Sequence, residues 1–375
     1  DKECRQIVRR IQRKAPESLV VITGCYAQLK PKEIAGIPGV DLVLGAAEKF
    51  NIASHIKELS KGDSAKICSC DVEDVTGFNS SYSIADRTRT FLKVQDGCDY
   101  NCSFCTIPMA RGKSRSDSSS NVIKNAKELA AKGVKEIVLT GVNLGDFRPP
   151  VLQAEDLAKP SKENRENFYS LIKELETVEG IQRYRISSIE PNLLTNEIIE
   201  FVANSDKFMP HFHIPLQSGS NKILGLMRRR YKRELYADRV NLIKTLMPHC
   251  AIGVDVIVGF PGETEEEFKE TFDFLHSLNI SYLHVFTYSE RDNTHALTIS
   301  PVIPMNIRHE RNKTLRNLSY MKMQYFTEQH SGQNRKVLFE SNDKNGMMEG
   351  YTDNYIKVTA PFQPEWVNEI VDWKL

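Results

Sequence analysis

What constrains the fold most is a rhythm. Between Phe91 and Tyr288, short apolar runs alternate with longer mixed ones. The apolar runs are Phe91–Gln95, Glu136–Thr140, Arg183–Ser188, Phe212–Leu216, Ile252–Val258 and Tyr282–Tyr288. Their β-branched and aromatic content predicts buried strands. The runs between them, at 120–132, 168–178, 195–204, 233–247 and 265–278, predict helices. Strands separated by helices pair in parallel through crossovers, because a tight hairpin cannot span such a gap. Six such units fit a partial (β/α)6 barrel, in which chemistry gathers at the C-terminal strand ends.

The loop after the first of these strands carries Cys98, Cys102 and Cys105 in the spacing C-x3-C-x2-C. Thiolate is the soft ligand that iron–sulfur clusters take. Three ligands leave one iron of a four-iron cube free to bind a small molecule. The alternative is a structural zinc site, which wants a fourth ligand and usually pairs two such elements. No second element follows, so the cluster reading is preferred.

The flanks differ from the barrel. Residues 1–75 begin with a basic helix, Arg5 to Lys14. They continue with strand, helix and strand candidates at Ser18–Gly24, from Pro31, and at Asp41–Gly45, then a helix at Ile52–Leu59. This alternation predicts a small N-terminal α/β domain with a parallel sheet. Residues 76–87 lack periodicity and read as a linker, and 88–304 as the barrel. Residues 305–332 read as a connecting helix. From 333 to 375 the pattern turns to short β runs around the turn dipeptide Asn345-Gly346, which predicts a small all-β barrel.

Composition bounds the rest. A 375-residue chain that is 40% hydrophobic and 26% charged suggests two or three globular domains. A net charge of +1 excludes a global polyanion magnet, so any nucleic-acid site must be a local patch. Eight cysteines, three at ligand spacing, fit a reducing cytoplasm. No apolar run approaches transmembrane length. The chain starts Asp1-Lys2-Glu3-Cys4-Arg5, with no signal peptide and no methionine, and is expected to begin inside a longer protein.

Several runs together resemble the radical-SAM methylthiotransferase family, of the branch that modifies tRNA. They are Val21–Gln28, Gly97–Pro108, His213–Ser220 and Gly253–Thr264. The resemblance covers nearly the whole chain. It implies a radical-SAM barrel, an N-terminal methylthiotransferase domain truncated at its start, and a C-terminal TRAM barrel. The wording of Val94–Asp99, Val138–Gly145 and Gly350–Tyr355 favours the branch acting on N6-threonylcarbamoyladenosine at tRNA position 37. The alternatives are methylthiolation of isopentenyladenosine or of a ribosomal protein, or an iron–sulfur RNA-binding module without turnover.

The resemblance also implies site residues. Cys98, Cys102 and Cys105 would ligate a 4Fe–4S cluster that cleaves S-adenosylmethionine (SAM) to a 5′-deoxyadenosyl radical. Phe104, Thr140, Gly141, Asn143, Ser188, Glu190, Gln217, Ser218, Tyr288 and Arg291 would surround SAM. Gly141 reads equally as a turn glycine, and Gln217 and Ser218 equally as a helix cap. Val256 and Ile257 fit the adenine or the core. The family's Arg-x-Gly-Thr is Arg291-Asp292-Asn293-Thr294 here, so this loop departs from the pattern. A second 4Fe–4S cluster, the sulfur carrier, needs three N-terminal cysteines. Only Cys25 matches, and the other two would lie before Asp1. Cys4, Cys68 and Cys70 read as incidental, and Cys250 as structural.

For RNA the candidates are Arg5–Lys14, Arg111–Arg115 and Met227–Arg233. A charge run is often only a solvated face. Arg111, Lys113 and Arg115 are preferred because they follow the cysteine loop. Residues 330–375 carry five Lys/Arg against seven Asp/Glu, so RNA contact there would need Tyr351, Tyr355 and Phe362. Expected partners are a tRNA anticodon loop, SAM and an electron donor such as flavodoxin or ferredoxin. A monomer with no membrane association is expected.

Overall fold

A computed structural model describes residues 2–57, 59–62, 64–83, 88–149, 166–340 and 345–375. Residue 58 of the expected helix, 84–87 of the expected linker, 150–165 of the expected barrel and 341–344 of the expected C-terminal barrel lie outside the described residues. The chain divides into two compact units. The first comprises Asp1–Asn79, Asp96–Asn101 and Cys105–Arg115; the second comprises Ser80–Gln95, Cys102–Phe104 and Ser116–Leu375.

The first unit holds a parallel sheet in the order β1 (Val21–Thr23), β2 (Leu42–Leu44), β3 (Lys66–Cys68). Its core is Val8, Val20, Ala27, Ile34, Ile37, Val40 and Val43. The basic helix, Lys2–Lys14, buries Val8 in that core and leaves its arginines outside. Asp41 ties the sheet by accepting from Val20 N at 2.7 Å and Lys61 Nζ at 2.8 Å. Among the elements that escaped the sequence reading are β3 and the helix Cys25–Leu29. β3 has one apolar residue, Ile67, and it is 40% exposed, so this edge strand gives no apolar run. The helix Cys25–Leu29 is too short to show a period.

The second unit contains the six expected strands, in two sheets. One runs β4 (Ser81–Tyr82), β5 (Arg89–Lys93), β8 (Glu136–Thr140), β9 (Arg183–Ile186). Two-residue strands β6 (Gln95–Asp96) and β7 (Arg115–Ser116) fall between β5 and β8 in the chain. The other sheet is β10 (His211–His213), β11 (Ala251–Val258), β12 (Tyr282–Thr287). All neighbours are parallel except β4, which pairs antiparallel to β5 and lies within the expected linker. Between β9 and β10 the ladder passes through residues 207–209: Tyr184 N donates to Lys207 O at 2.7 Å and Met209 N to Tyr184 O at 2.9 Å.

Side chains alternate along these strands. On β11, Ile252, Val254, Val256 and Val258 join the large core under the helices. Ile257 instead joins a separate cluster with Phe260, Tyr288 and Phe104 on the opposite, inward face. The inward face also carries Gly253, where an added Cβ would sit 2.3 Å from the Tyr282 ring. The alternation therefore divides the Val256–Ile257 pair: Val256 is core, and Ile257 faces inward.

The helix Met305–Glu328 packs on β12 and leads to an antiparallel sheet. Its order is β15 (Lys357–Pro361), β14 (Met347–Thr352), β13 (Asn334–Phe339), β16 (Ile370–Lys374). This sheet closes the N-terminal end of the barrel strands. Fully buried Glu136 accepts from Arg185 Nε at 2.8 Å and lies 3.6 Å from Arg183. Arg185 also donates to Thr352 O at 2.7 Å and Asp353 O at 2.9 Å. Tyr355 stacks on His211 at 4.2 Å and on Tyr351 at 5.0 Å, and Arg89 lies 4.3 Å over Tyr351. Tyr351 and Tyr355 are thus half-buried against Arg89, Arg185 and His211.

Candidate iron–sulfur site

The cysteine loop is divided between the two units, and each part has its own surroundings. In the first unit, Gly97 takes φ +71, and a Cβ there would lie 2.0 Å from Lys113 O. Only glycine allows that approach. Cys98 N then donates to Gly112 O at 3.1 Å. Both thiols of this part accept backbone N–H groups: Tyr100 N to Cys98 Sγ and Ile107 N to Cys105 Sγ, each at 3.4 Å. A cavity of about 800 Å³ is lined by Cys98, Tyr100, Met109, Lys113 and Arg115, among others.

Buried Asp96 organises the cations of this unit. It accepts from Arg111 Nη1 at 3.0 Å, pairs with Arg115 Nη2 at 3.4 Å and accepts from Gly97 N at 2.9 Å. Burial pulls the Arg111 guanidinium down, but hydrogen bonds to Cys25 and Asp96 raise it above its ordinary value. Arg111 thus bonds Asp96 and feels the nearby thiol of Cys25. Arg115 donates to the carbonyls of Gly77 at 2.9 Å and Arg111 at 2.6 Å. Lys113 is exposed.

In the second unit Cys102 is 7% exposed. Ser103 fixes it, with N donating to Met227 O at 3.1 Å and Oγ to Leu226 O at 2.7 Å. Arg229 Nη1 donates to Cys102 Sγ at 3.1 Å, and Arg229 Nη2 pairs with Glu190. Burial raises the Cys102 thiol and the Glu190 carboxyl, and Arg229 opposes both shifts. Arg229 is the group that makes a buried thiolate tolerable here. Within the Met227–Arg233 run Arg229 alone of the arginines is buried at its side chain, while Arg228, Arg230 and Lys232 are exposed. Arg228 adopts φ +57 at the end of helix Asn221–Leu226, and the chain turns Arg229 inward. Tyr231 is also buried, its hydroxyl reaching the carbonyls of Pro215 and Leu216 at 2.9 and 2.8 Å.

The expected SAM residues occupy the C-terminal ends of the same strands. After β8, Gln95 Oε1 accepts from Val142 N and Asn143 N at 2.9 and 2.8 Å. A Cβ on Gly141 would lie 2.9 Å from that oxygen, so this glycine serves a close approach. The buried Asn143 amide has no hydrogen-bond partner at either atom. Tyr288 Oη is likewise buried and unpaired, against Phe260 at 5.4 Å. Buried polar atoms are normally hydrogen-bonded, so a pair of orphans beside the cysteine loop is compatible with a polar ligand. Phe104 meets Phe260 edge-on at 6.2 Å.

Ser188 is partly exposed at the end of β9. Gln217 holds φ +71 beside Val256. Ser218 is buried and bonds Thr271 Oγ1 at 3.2 Å, toward helix Glu265–Ser277. Arg291 is exposed; its carbonyl accepts from Thr294 Oγ1 at 2.6 Å. Asn293, at φ +62, takes the left-handed position where the family pattern has glycine. Sequence reasoning missed Gln95, Asp96 and Arg229: one polar residue at a strand end or in a charge run carries no periodic signal.

The thiols fit an iron–sulfur cluster. Each accepts an N–H, which stabilises a ligating thiolate, and unpaired Asn143 and Tyr288 leave polar groups for a bound cofactor. Comparison with known proteins agrees. Residues 92–275 match the radical SAM superfamily. The chain is 40% identical over its whole length, and 82% of the relative's, to threonylcarbamoyladenosine tRNA methylthiotransferase MtaB of Bacillus subtilis (strain 168). It is 31% identical, over 90% of its length and 74% of the relative's, to tRNA-2-methylthio-N(6)-dimethylallyladenosine synthase of Clostridium botulinum (strain Langeland). The radical S-adenosylmethionine methyltransferase TsrM of Kitasatospora setae superposes with a TM-score of 0.55 at 17% identity, over 92% of this chain and 64% of that one, a likeness of fold.

Fold and sequence together define a radical SAM enzyme. More narrowly, the chain belongs to the family of radical SAM tRNA methylthiotransferases. Membership brings a 4Fe–4S cluster and SAM as cofactors, and the MtaB-type relatives carry a second cluster. Among the described residues no helix is long and apolar enough to cross a membrane.

Proposed function

We propose that the protein methylthiolates carbon 2 of N6-threonylcarbamoyladenosine at position 37 of tRNA. The observation that carries this reading is the identity gradient: 40% to the B. subtilis threonylcarbamoyladenosine enzyme against 31% to the dimethylallyladenosine synthase. A 4Fe–4S cluster bound with SAM supplies one-electron cleavage of the sulfonium.

Cys98, Cys102 and Cys105 hold that cluster, and the Tyr100 and Ile107 amides and Arg229 donate to their sulfurs. The Thr140–Asn143 loop, pinned by Gln95, presents the Asn143 amide to the amino end of SAM. Ser188, Glu190, Gln217, Ser218, Tyr288 and Arg291 complete the surround. Phe104, Ile257 and Phe260 form an apolar wall that keeps water out. Cys25 is this chain's ligand to the second cluster, with the charge of Arg111 acting on its thiol. Exposed Lys113 supplies the available charge for tRNA phosphate, while Arg111 and Arg115 divide theirs with Asp96. The division into residues 1–75, 76–87, 88–304, 305–332 and a TRAM-like 333–375 belongs to this proposal. So do a flavodoxin or ferredoxin donor, a monomer and a cytoplasmic location.

The test separates cleavage from transfer in the reconstituted, anaerobic full-length enzyme. Cys102→Ala is expected to abolish release of 5′-deoxyadenosine. Cys25→Ala is expected to retain that release and lose the methylthio product. Full cleavage by Cys102→Ala contradicts the cluster assignment. Normal product from Cys25→Ala makes that residue a mere helix-start cysteine.

A further inference from the structure

The inward face of the second barrel sheet carries a polar constellation outside the set of residues expected to surround SAM. His213 ends β10, Asp255 lies mid-β11 and His284 lies on β12. Asp255 is the register partner of His284, and His213 pairs with Gly253, two residues along the same inward face. His213 Nε2 lies 2.8 Å from Asp255 Oδ1, and His284 Nδ1 lies 3.4 Å from the same oxygen. The three donor atoms all fall within 4.8 Å of one another. Two imidazoles and one carboxylate thus surround a single point.

We propose that His213, Asp255 and His284 form a binding site for a divalent first-row transition-metal ion, distinct from the cysteine-held clusters. Three features of the geometry support a cation. First, the donor set is two nitrogens and one oxygen, which suits zinc or ferrous iron; calcium and magnesium prefer all-oxygen shells. Second, the three ligands stand on adjacent hydrogen-bonded strands, which fix their separation better than loops do. Third, three protein ligands leave coordination positions open, as in catalytic rather than structural sites. His284 is 56% exposed at its side chain, so an ion can reach the site. An anion site would converge N–H donors and omit a carboxylate. A purely structural triad would need no exposed member.

Rings also border the site. Tyr282 lies 5.3 Å from His284 and 6.3 Å from His213 between ring centroids, and His213 and His284 are 5.0 Å apart. No cysteine belongs to the set, so occupying the clusters leaves it untouched. The inference is independent of which adenosine the enzyme modifies.

The test uses the full-length holoenzyme, with its clusters in place so that the thiols are occupied. It is titrated anaerobically with cobalt(II) in equilibrium dialysis and followed by visible absorption. Wild type is expected to bind about one equivalent more than either His284→Ala or Asp255→Asn, with nitrogen–oxygen d–d bands that both variants lack. Iron and sulfide content should be equal in all three proteins. His284→Ala removes a partly exposed side chain, and its circular dichroism and SAM cleavage report whether the fold is kept. Equal stoichiometry and spectra in wild type and a folded His284→Ala overturn the site. So does cobalt bound only with the intense charge-transfer bands of thiolate. Loss of tRNA affinity in His284→Ala without any difference in metal binding also overturns it, and makes the triad a hydrogen-bonded substrate contact.

Discussion

Arg229 holds a charge where charge is costly. Its side chain is 4% exposed, and its guanidinium faces Cys102 and Glu190. Removing one partner of a buried pair leaves the other charge stranded, typically at about 3–5 kcal/mol. Arg229→Met should therefore destabilise the second unit by about that much, and Glu190→Gln in the same chain should recover part of it. Urea unfolding of the single and double variants measures this; equal loss in both would show that the pair is not coupled. The sequence hid Arg229 because Arg228, Arg229 and Arg230 look alike, and only the left-handed backbone at Arg228 separates them. The cysteines were legible for the opposite reason: their spacing is itself the chemistry. Asn143 entered only through family resemblance, and the one structural mark it carries is a buried amide without a partner.

At the scale of elements, arginines tie the C-terminal sheet to the barrel strands beside a small apolar cluster of Ala251, Phe326 and Ile356. Arg185 bonds Glu136 and the Thr352 and Asp353 carbonyls together. Arg185→Met should cost about 3–5 kcal/mol and open residues 334–375 to limited proteolysis. An unchanged digestion pattern would show that the aromatic stack at Tyr351, Tyr355 and His211 suffices. The helix Met305–Glu328 carries a second charge effect. Burial pulls the Lys322 ammonium down to about 8, while the unfolded side chain titrates near ~10.4. Between those values the unfolded chain binds more protons, so stability should rise with pH from about 8 to about 10.4. Comparing urea midpoints across that window with Lys322→Met, which should lack the increment, checks it. The barrel strands were readable from their apolar runs and the helices from their period. Strands β3 and β4 were not: one exposes its only apolar residue, and the other is two residues long. The division of the cysteine loop between two units has no signature in sequence.

Of the two compact units, one carries Cys25, Cys98 and Cys105, and the other carries Cys102 and the expected SAM groups. Net charge near neutrality leaves recognition to local cations, of which Lys113 is exposed. The target base must leave its stack to reach a buried site, which is easiest where pairing is already absent, as in an anticodon loop. The central claim concerns which base that is. Nucleoside mass spectrometry of total tRNA from cells lacking the gene tests it most directly. N6-threonylcarbamoyladenosine is expected to accumulate and its 2-methylthio form to disappear, while 2-methylthio-isopentenyladenosine stays unchanged. Loss of the isopentenyl product with the threonylcarbamoyl product intact would contradict it.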